Sequence, residues 1–138
     1  MAQNTTPVFP LAPRVSLVGA IITAAVTAKD GTGTATLVFT AKAVDGSRVD
    51  YLKVRSLGTN VVTVMRVFIN NGADQAIAGN NALFVERTIP ATTLSETAEL
   101  PDNYIPLDIS LPADYRIYVT IGTAVAAGLK ITVVGGDY

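Results

Sequence analysis

Residues 104–134 read YIPLDISLPADYRIYVTIGTAVAAGLKITVV, and this stretch decides the fold class. In residues 104–111, 115–121 and 129–134, apolar side chains alternate with polar ones, which is typical of strands that bury one face. The turn-forming sequences Leu111-Pro112-Ala113-Asp114 and Ala127-Gly128 separate the three segments. The stretch therefore predicts three consecutive antiparallel strands.

The same period of two recurs in the preceding sequence, in residues 34–41, 50–56 and 83–89. Residues 16–28, with an interruption at Gly19, and residues 61–70 bring the number of predicted strands to about eight. Residues 16–28 also resemble the apolar part of a signal peptide, although no basic cluster precedes them. Residues 91–100 are consistent with a loop, an edge strand or one helical turn. The pattern favours an all-β fold, an antiparallel β-sandwich that is jelly-roll-like.

The composition argues against catalysis. The chain has 138 residues, no Cys and no His, so it lacks thiolate nucleophiles, histidine bases and the common zinc ligands. We predict that it is not an enzyme and has no catalytic, cofactor-binding or metal-binding residues. With 10 basic and 11 acidic residues the net charge is −1, which indicates no nucleic-acid partner. No apolar run is long enough for a membrane helix, so we also predict no membrane partner. With neither a signal peptide nor cysteine, the chain is expected to be made and folded in a cytoplasm.

The first thirteen residues, MAQNTTPVFPLAP, form a separate predicted unit. Their three prolines exclude a helix and favour an extended chain. We predict an extended N-terminal arm over residues 1–13 and a β-sandwich domain over residues 14–138. Val8, Phe9 and Leu11 are the predicted anchors, because apolar side chains on an extended arm need a surface to cover them. That surface belongs to a neighbouring chain or to the arm's own domain.

Residues 61–69 are apolar on both predicted faces. A strand in a two-layer sandwich has only one face toward the core. Val62, Val64 and Phe68 on the second face are therefore the predicted subunit interface. The alternative is an outer face that a loop of the same chain covers.

Two further patterns have both a functional and a structural interpretation. Tyr104, Tyr115 and Tyr118 are candidates for a sugar-binding platform, although tyrosines at strand ends are also common in sandwich cores. Residues Asp30-Gly31-Thr32-Gly33 lack the lysine and the spacing of a phosphate-binding loop, and we interpret them as a turn.

Four short motifs together resemble those of small structural proteins of tailed bacteriophages, in particular head decoration (cement) proteins. The motifs are Thr5-Thr6-Pro7-Val8-Phe9-Pro10-Leu11, Asp30-Gly31-Thr32-Gly33, Leu111-Pro112-Ala113-Asp114-Tyr115-Arg116 and Gly135-Gly136-Asp137-Tyr138. Asp114 stands where the resemblance leads us to expect Gly. The resemblance implies a β-sandwich subunit, commonly trimeric, that clamps neighbouring capsomers through an arm, and it brings no active-site pattern.

The expected function is therefore that of a non-enzymatic virion protein on the capsid surface. It would bind the major capsid protein, associate with itself as a homotrimer and stabilise the shell. Two alternatives remain at this point. One is a carbohydrate- or receptor-binding module of a phage tail, and the other is a head–tail joining or tail-tube subunit.

Overall fold

The computed structural model describes residues 9–138. Within them the chain forms eight β-strands and one short 3-10 turn, Ala78–Asn80, so the predicted all-β class is confirmed. The strands are β1 (Ala12–Leu17), β2 (Thr36–Thr40), β3 (Ser47–Ser56), β4 (Thr63–Asn70), β5 (Asn81–Ile89), β6 (Asn103–Leu111), β7 (Arg116–Ile121) and β8 (Leu129–Asp137).

The strands form two four-stranded sheets. Sheet A has the order β1-β8-β3-β6, sheet B has the order β2-β7-β4-β5, and all neighbours are antiparallel. The pairs β1/β8, β2/β7, β3/β6 and β4/β5 follow the two arms of one long hairpin, whose tip lies between β4 and β5. Rolling that hairpin into two layers gives the jelly-roll arrangement, and the sandwich prediction is confirmed.

The core lies between the inner faces of the two sheets. Alternate residues of the central strands point into it and are completely buried, as the period of two requires. Sheet A contributes Leu52 and Val54, together with Ile131 and Val133; sheet B contributes Met65, Val67, Ile117 and Val119.

Bulges interrupt this alternation at two places. In β2 the pairing with β7 shifts between Leu37 and Phe39, so Val38 and Phe39 are both buried while Leu37 is exposed. Period-two alternation over residues 34–41 would put Leu37 on the same face as Phe39, and the bulge breaks that relation. In β3 a shift follows Val49, where Gly135 of β8 approaches so closely that an added Cβ would lie 2.0 Å from the Arg48 carbonyl oxygen.

The predicted strand over residues 16–28 is wrong for most of its length. Strand β1 ends at Leu17, and beyond it Ile22 forms only an isolated bridge with Leu129. The chain then crosses from sheet A to sheet B, and the Val26 N–H donates to the Ile121 carbonyl (2.8 Å). Gly and Ala occur throughout this stretch, and they have little or no side chain to pack against a neighbouring strand. A continuous strand is therefore unfavourable here.

The same connection contacts the outer face of β4 at Arg66. On this face Arg66 pairs with Glu86 (Nε–Oε1 2.8 Å) and contacts the Val26 carbonyl (3.4 Å). Phe68, two residues further on the same face, is completely buried within the subunit. Phe68 is therefore not available to a partner, and the prediction that it belongs to a subunit interface is wrong, because its own subunit encloses the side chain.

Replacing Phe68 with Ala should destabilise the monomer rather than only weaken association. We expect Phe68→Ala to lower the free energy of unfolding by about 3–5 kcal/mol, because it empties a well-packed site. Val62→Ala is the matched control at an exposed position, with an expected change below about 0.5 kcal/mol. Urea unfolding followed by tyrosine fluorescence measures both, and equally small effects would contradict the buried placement of Phe68.

Candidate docking surface

Strand β1 presents an apolar stripe at the edge of sheet A. Among the described residues its only strand neighbour is β8, and its side chains alternate between the two faces. Val15 and Leu17 on its outward face are 59% and 76% exposed, and Leu11, directly before the strand, is 86% exposed. We call these three residues the β1 stripe. Three large aliphatic side chains on one exposed strand edge are unusual for a surface that meets only water.

The backbone of β1 also has a hydrogen-bonding edge that no residue from 9 to 138 occupies. The Val18 N–H donates to the Ile131 carbonyl (3.2 Å), so the even-numbered residues of β1 point their peptide groups toward β8. The peptide groups of Val15 and Leu17 therefore point away from the sheet. Pro13 lies on this same side, where its missing N–H costs no ladder hydrogen bond. This edge can accept an extended segment of another chain.

Arg14 fixes β1 to both sheets from its inward face. Its Nη1 donates to the Thr40 carbonyl of β2 (2.8 Å) and to Asp137 Oδ1 of β8 (3.2 Å). Its guanidinium carbon lies 4.4 Å from the centroid of the Phe39 ring, which is a cation–π geometry. One side chain therefore ties the edge of sheet A to the edge of sheet B.

Asp137 connects the Arg14 side chain to β3. The Ser47 hydroxyl donates to Asp137 Oδ1 (2.5 Å), the same oxygen that Arg14 contacts. Burial alone would raise the pKa of Asp137. Hydrogen bonds from Ser47 and Arg14, with the positive charges of Arg14 and Lys42, outweigh burial and hold the pKa below its ordinary value.

The outer face of sheet A continues the β1 stripe across the strands. One cross-strand row runs from Val15 through Val134 and Tyr51 to Pro106. Apolar and aromatic side chains thus extend from the edge strand to the opposite side of the sheet. The surface made by the β1 stripe and this row is the candidate docking surface.

Charged residues border the candidate docking surface on one side. Tyr51 and Tyr104 pack edge to face with ring centroids 5.4 Å apart, and Lys53 Nζ lies 5.2 Å from the Tyr104 ring. Asp102 accepts hydrogen bonds from Arg55 and Lys53, and that from Arg55 is the main reason that its pKa lies below the ordinary value. An apolar centre beside a polar rim is the usual anatomy of a protein interface.

The predicted arm anchors lie at the start of this surface. Phe9 is 69% exposed and Leu11 belongs to the β1 stripe, while Val8 lies outside the described residues. The Leu11 N–H donates to the Asp137 carbonyl (2.8 Å) and β1 begins at Ala12. Strand pairing therefore starts inside the segment predicted as an arm, and the boundary predicted after Pro13 falls within β1.

The other predicted interface residues do not form a common surface. Val62 is exposed just before β4, Val64 is half-buried and Phe68 is enclosed. Val15 and Leu17 were missed because they lie on the far side of the predicted arm boundary. The odd-numbered apolar positions from Phe9 to Leu17 were the signal that could have joined them to the arm.

The three tyrosines of the predicted sugar platform are not brought together. Tyr104 lies on the outer face of sheet A, Tyr118 lies in β7 of sheet B, and Tyr115 packs against the core.

The turn interpretation of Asp30 is confirmed, since its carboxylate accepts the Thr32 N–H (3.0 Å) and hydroxyl (2.6 Å). Among residues 9–138, no group of three His, Cys, Asp or Glu side chains is placed to hold a metal ion. Over the same residues, no helix has the length and hydrophobicity needed to span a bilayer.

Comparison of the chain with protein-family models, with curated proteins and with solved structures gives no match.

Asp137 should make the stability of β1 sensitive to acid. Its folded-state pKa is lowered, so its contribution is present above the unfolded value of about 3.9 and is lost as the pH falls through the folded value. We expect Asp137→Asn to lose about 1–3 kcal/mol at pH 7, since hydrogen bonds to a charged group are replaced by neutral ones.

The measurement is urea unfolding of wild type and Asp137→Asn at neutral and acidic pH. The difference between the two proteins should shrink as the pH falls below the unfolded pKa. Glu96→Gln, at an exposed position in the 91–100 segment, is the control and should follow the wild-type curve. A difference for Asp137→Asn that stays constant from neutral to strongly acidic pH would contradict the role of the ionised carboxylate.

Proposed function

We propose that this chain is a non-enzymatic structural protein of a bacteriophage virion, which attaches to the capsid surface through the candidate docking surface. Its proposed partners are the major capsid protein and further copies of itself, in a homotrimer; nucleic acid and membrane are not among them. The observation that carries the proposal is the β1 stripe, an exposed apolar row on a strand with a free backbone edge. The protein would be made in the host cytoplasm and end in the virion.

The physical basis of the proposal is the burial of the β1 stripe. Burying one large aliphatic side chain contributes about 1.5–3 kcal/mol, so the three residues of the stripe offer several kcal/mol before the cost of association. Backbone hydrogen bonds along the free edge of β1 would add orientation. In a closed shell the same modest contact is repeated many times, and a symmetric oligomer that binds at several sites dissociates slowly.

The ion pairs of the sandwich support a structural role over a catalytic one. Several carboxylates are engaged by neighbouring basic side chains, which leaves them poorly suited to proton transfer. The pairs are Asp137 with Arg14, Asp102 with Arg55, Asp50 with Arg48, and Glu86 with Arg66. Each of these pairs joins neighbouring strands or holds a strand edge, apart from Arg48 and Asp50, which lie on the same strand.

Charges placed on the β1 stripe should abolish attachment without unfolding the protein. We expect the double variant Leu11→Asp/Leu17→Asp to lose most of its binding to expanded shells assembled from the major capsid protein of the same phage. Both side chains are exposed, so the free energy of unfolding should change by less than about 1 kcal/mol. Co-sedimentation with the shells measures the binding.

Leu94→Asp is the matched control, since Leu94 is exposed on the segment between β5 and β6, outside the stripe. This variant should bind shells as wild type does. Retention of full shell binding by the Leu11→Asp/Leu17→Asp variant would overturn attachment through β1. Failure of the wild-type protein to bind shells would overturn the decoration function itself.

A further inference from the structure

A cavity of about 160 Å³ lies beside the connection between β1 and β2. Its walls come from that connection, from the first residue of β2 and from β7, and every lining side chain is neutral. The lining residues are Ile21, Ile22, Thr23, Ala24, Val26, Thr34, Thr36, Val119 and Thr120. The walls are thus aliphatic groups mixed with threonine hydroxyls, which suit a neutral occupant with an apolar body and a polar group.

One of these hydroxyls is buried without a partner. Thr120 is 1% exposed, and its Oγ1 makes no hydrogen bond with any residue from 9 to 138. Burying a hydroxyl group without a hydrogen-bond partner costs free energy, and a bound group that offers a donor or an acceptor removes that cost. The occupant must therefore bring a polar atom to Thr120 as well as an apolar group to the aliphatic walls.

We propose, on the basis of the self-association in the proposed function, that this cavity receives the Phe9 ring of a neighbouring copy. Phe9 is a large aromatic side chain, 69% exposed. A phenyl ring matches the size of the cavity, since an engineered apolar cavity of about 150 Å³ in another protein accepts benzene. The peptide carbonyls on either side of Phe9 supply acceptors for the Thr120 hydroxyl.

Charge also matches between the cavity and the segment that carries Phe9. Residues 2–13 contain no Asp, Glu, Lys or Arg, and the cavity walls contain none either. Docking therefore leaves no side-chain ion buried without a partner. Prolines at positions 7, 10 and 13 restrict the segment to extended conformations, which lowers the entropy that it loses when it is held.

The Phe9 ring cannot reach the cavity of its own subunit. The Leu11 backbone is hydrogen-bonded to Asp137, the last residue of β8. Ile22, which lines the cavity, is hydrogen-bonded to Leu129, the first residue of β8. Eight strand steps of about 3.3 Å separate those two ends by about 26 Å. Two residues of extended chain from Leu11 to Phe9 span at most about 7 Å. The contact is therefore made between copies.

Phe9 and the cavity lie at opposite ends of the sandwich, and two kinds of closed assembly satisfy the contact between them. A two-fold dimer exchanges both Phe9 rings reciprocally, whereas in a heterologous, or head-to-tail, assembly each copy passes its ring to the next. Heterologous contacts close into a ring when the rotation per subunit is right, and a trimer is the smallest such ring. The contact therefore supplies a way to build the proposed homotrimer without Val62, Val64 or Phe68.

The absence of native cysteine makes a site-specific cross-link the direct test. Phe9→Cys and Ala24→Cys proteins, carrying different tags, are mixed in a thiol–disulfide buffer. Ala24 lines the cavity and is exposed, so its thiol is accessible to a docked neighbour. We expect disulfide-linked pairs between the two proteins at about ten times the yield of the control pair, because docking raises the effective concentration of the thiols.

The control pair combines Phe9→Cys with Ala78→Cys, an exposed alanine in the 3-10 turn before β5. A yield for the Ala24 pair no higher than for the Ala78 pair would overturn the Phe9 contact. A second measurement avoids cysteine. Phe9→Ala should lower the mass of the oligomer in sedimentation equilibrium, whereas Leu94→Ala should not, and an unchanged mass for Phe9→Ala would also overturn the contact.

The cross-linking assay tests the Phe9 contact and the shell-binding assay tests the decoration function, so either result can be negative without the other. A protein that binds shells but gives no specific cross-link retains the proposed function and loses the Phe9 contact. A protein that gives the cross-link but binds no shell retains the contact and loses the decoration function.

Discussion

The Arg14 side chain is the interaction on which the exposed surface of this molecule depends. Within the part of the chain that the structure describes, strand β1 has only β8 as a strand neighbour, and by itself such an edge strand would fray. Arg14 ties it through Asp137 to sheet A and through Thr40 and Phe39 to sheet B. Because the charged side chain points inward, the outward positions of the strand are left to Leu11, Val15 and Leu17. The interaction that holds β1 in place therefore also determines that an apolar row faces the solvent.

The class and layering of the fold were predictable from the sequence, whereas the local register was not. Period-two alternation in residues 50–56, 104–111 and 129–134 gives the inward faces of β3, β6 and β8, since strands with one buried face have no other stable pattern. The bulge in β2 moves Leu37 outward, and no local sequence feature indicates that a bulge occurs there. Residues 16–28 are apolar because they cross and cover a sheet, and hydrophobicity alone does not distinguish such a segment from a strand.

The candidate docking surface was likewise predictable from the sequence only in part. The apolar leader and its proline pattern pointed to Phe9 and Leu11, but the assumed end of the arm at Pro13 hid the continuation to Val15 and Leu17. Phe68 was assigned to an interface because its strand is apolar on both faces. The structure shows that the subunit itself buries Phe68, and on the same face the Arg66 side chain contacts the Val26 carbonyl, 40 residues away in sequence.

The four sheet edges of the described chain differ in their protection. Proteins usually protect such edges with charges, prolines or bulges. Strand β6 has Pro106 and an irregular backbone at Asp108, where φ is +50°, and β5 presents Glu86 and Arg87. Strand β2 is partly capped by the Arg14 contact to Thr40. Strand β1 has Pro13, but beyond it Val15 and Leu17 combine free peptide groups with exposed aliphatic side chains. An edge left open in this way is a liability for a free monomer and an advantage for a subunit that functions inside an assembly.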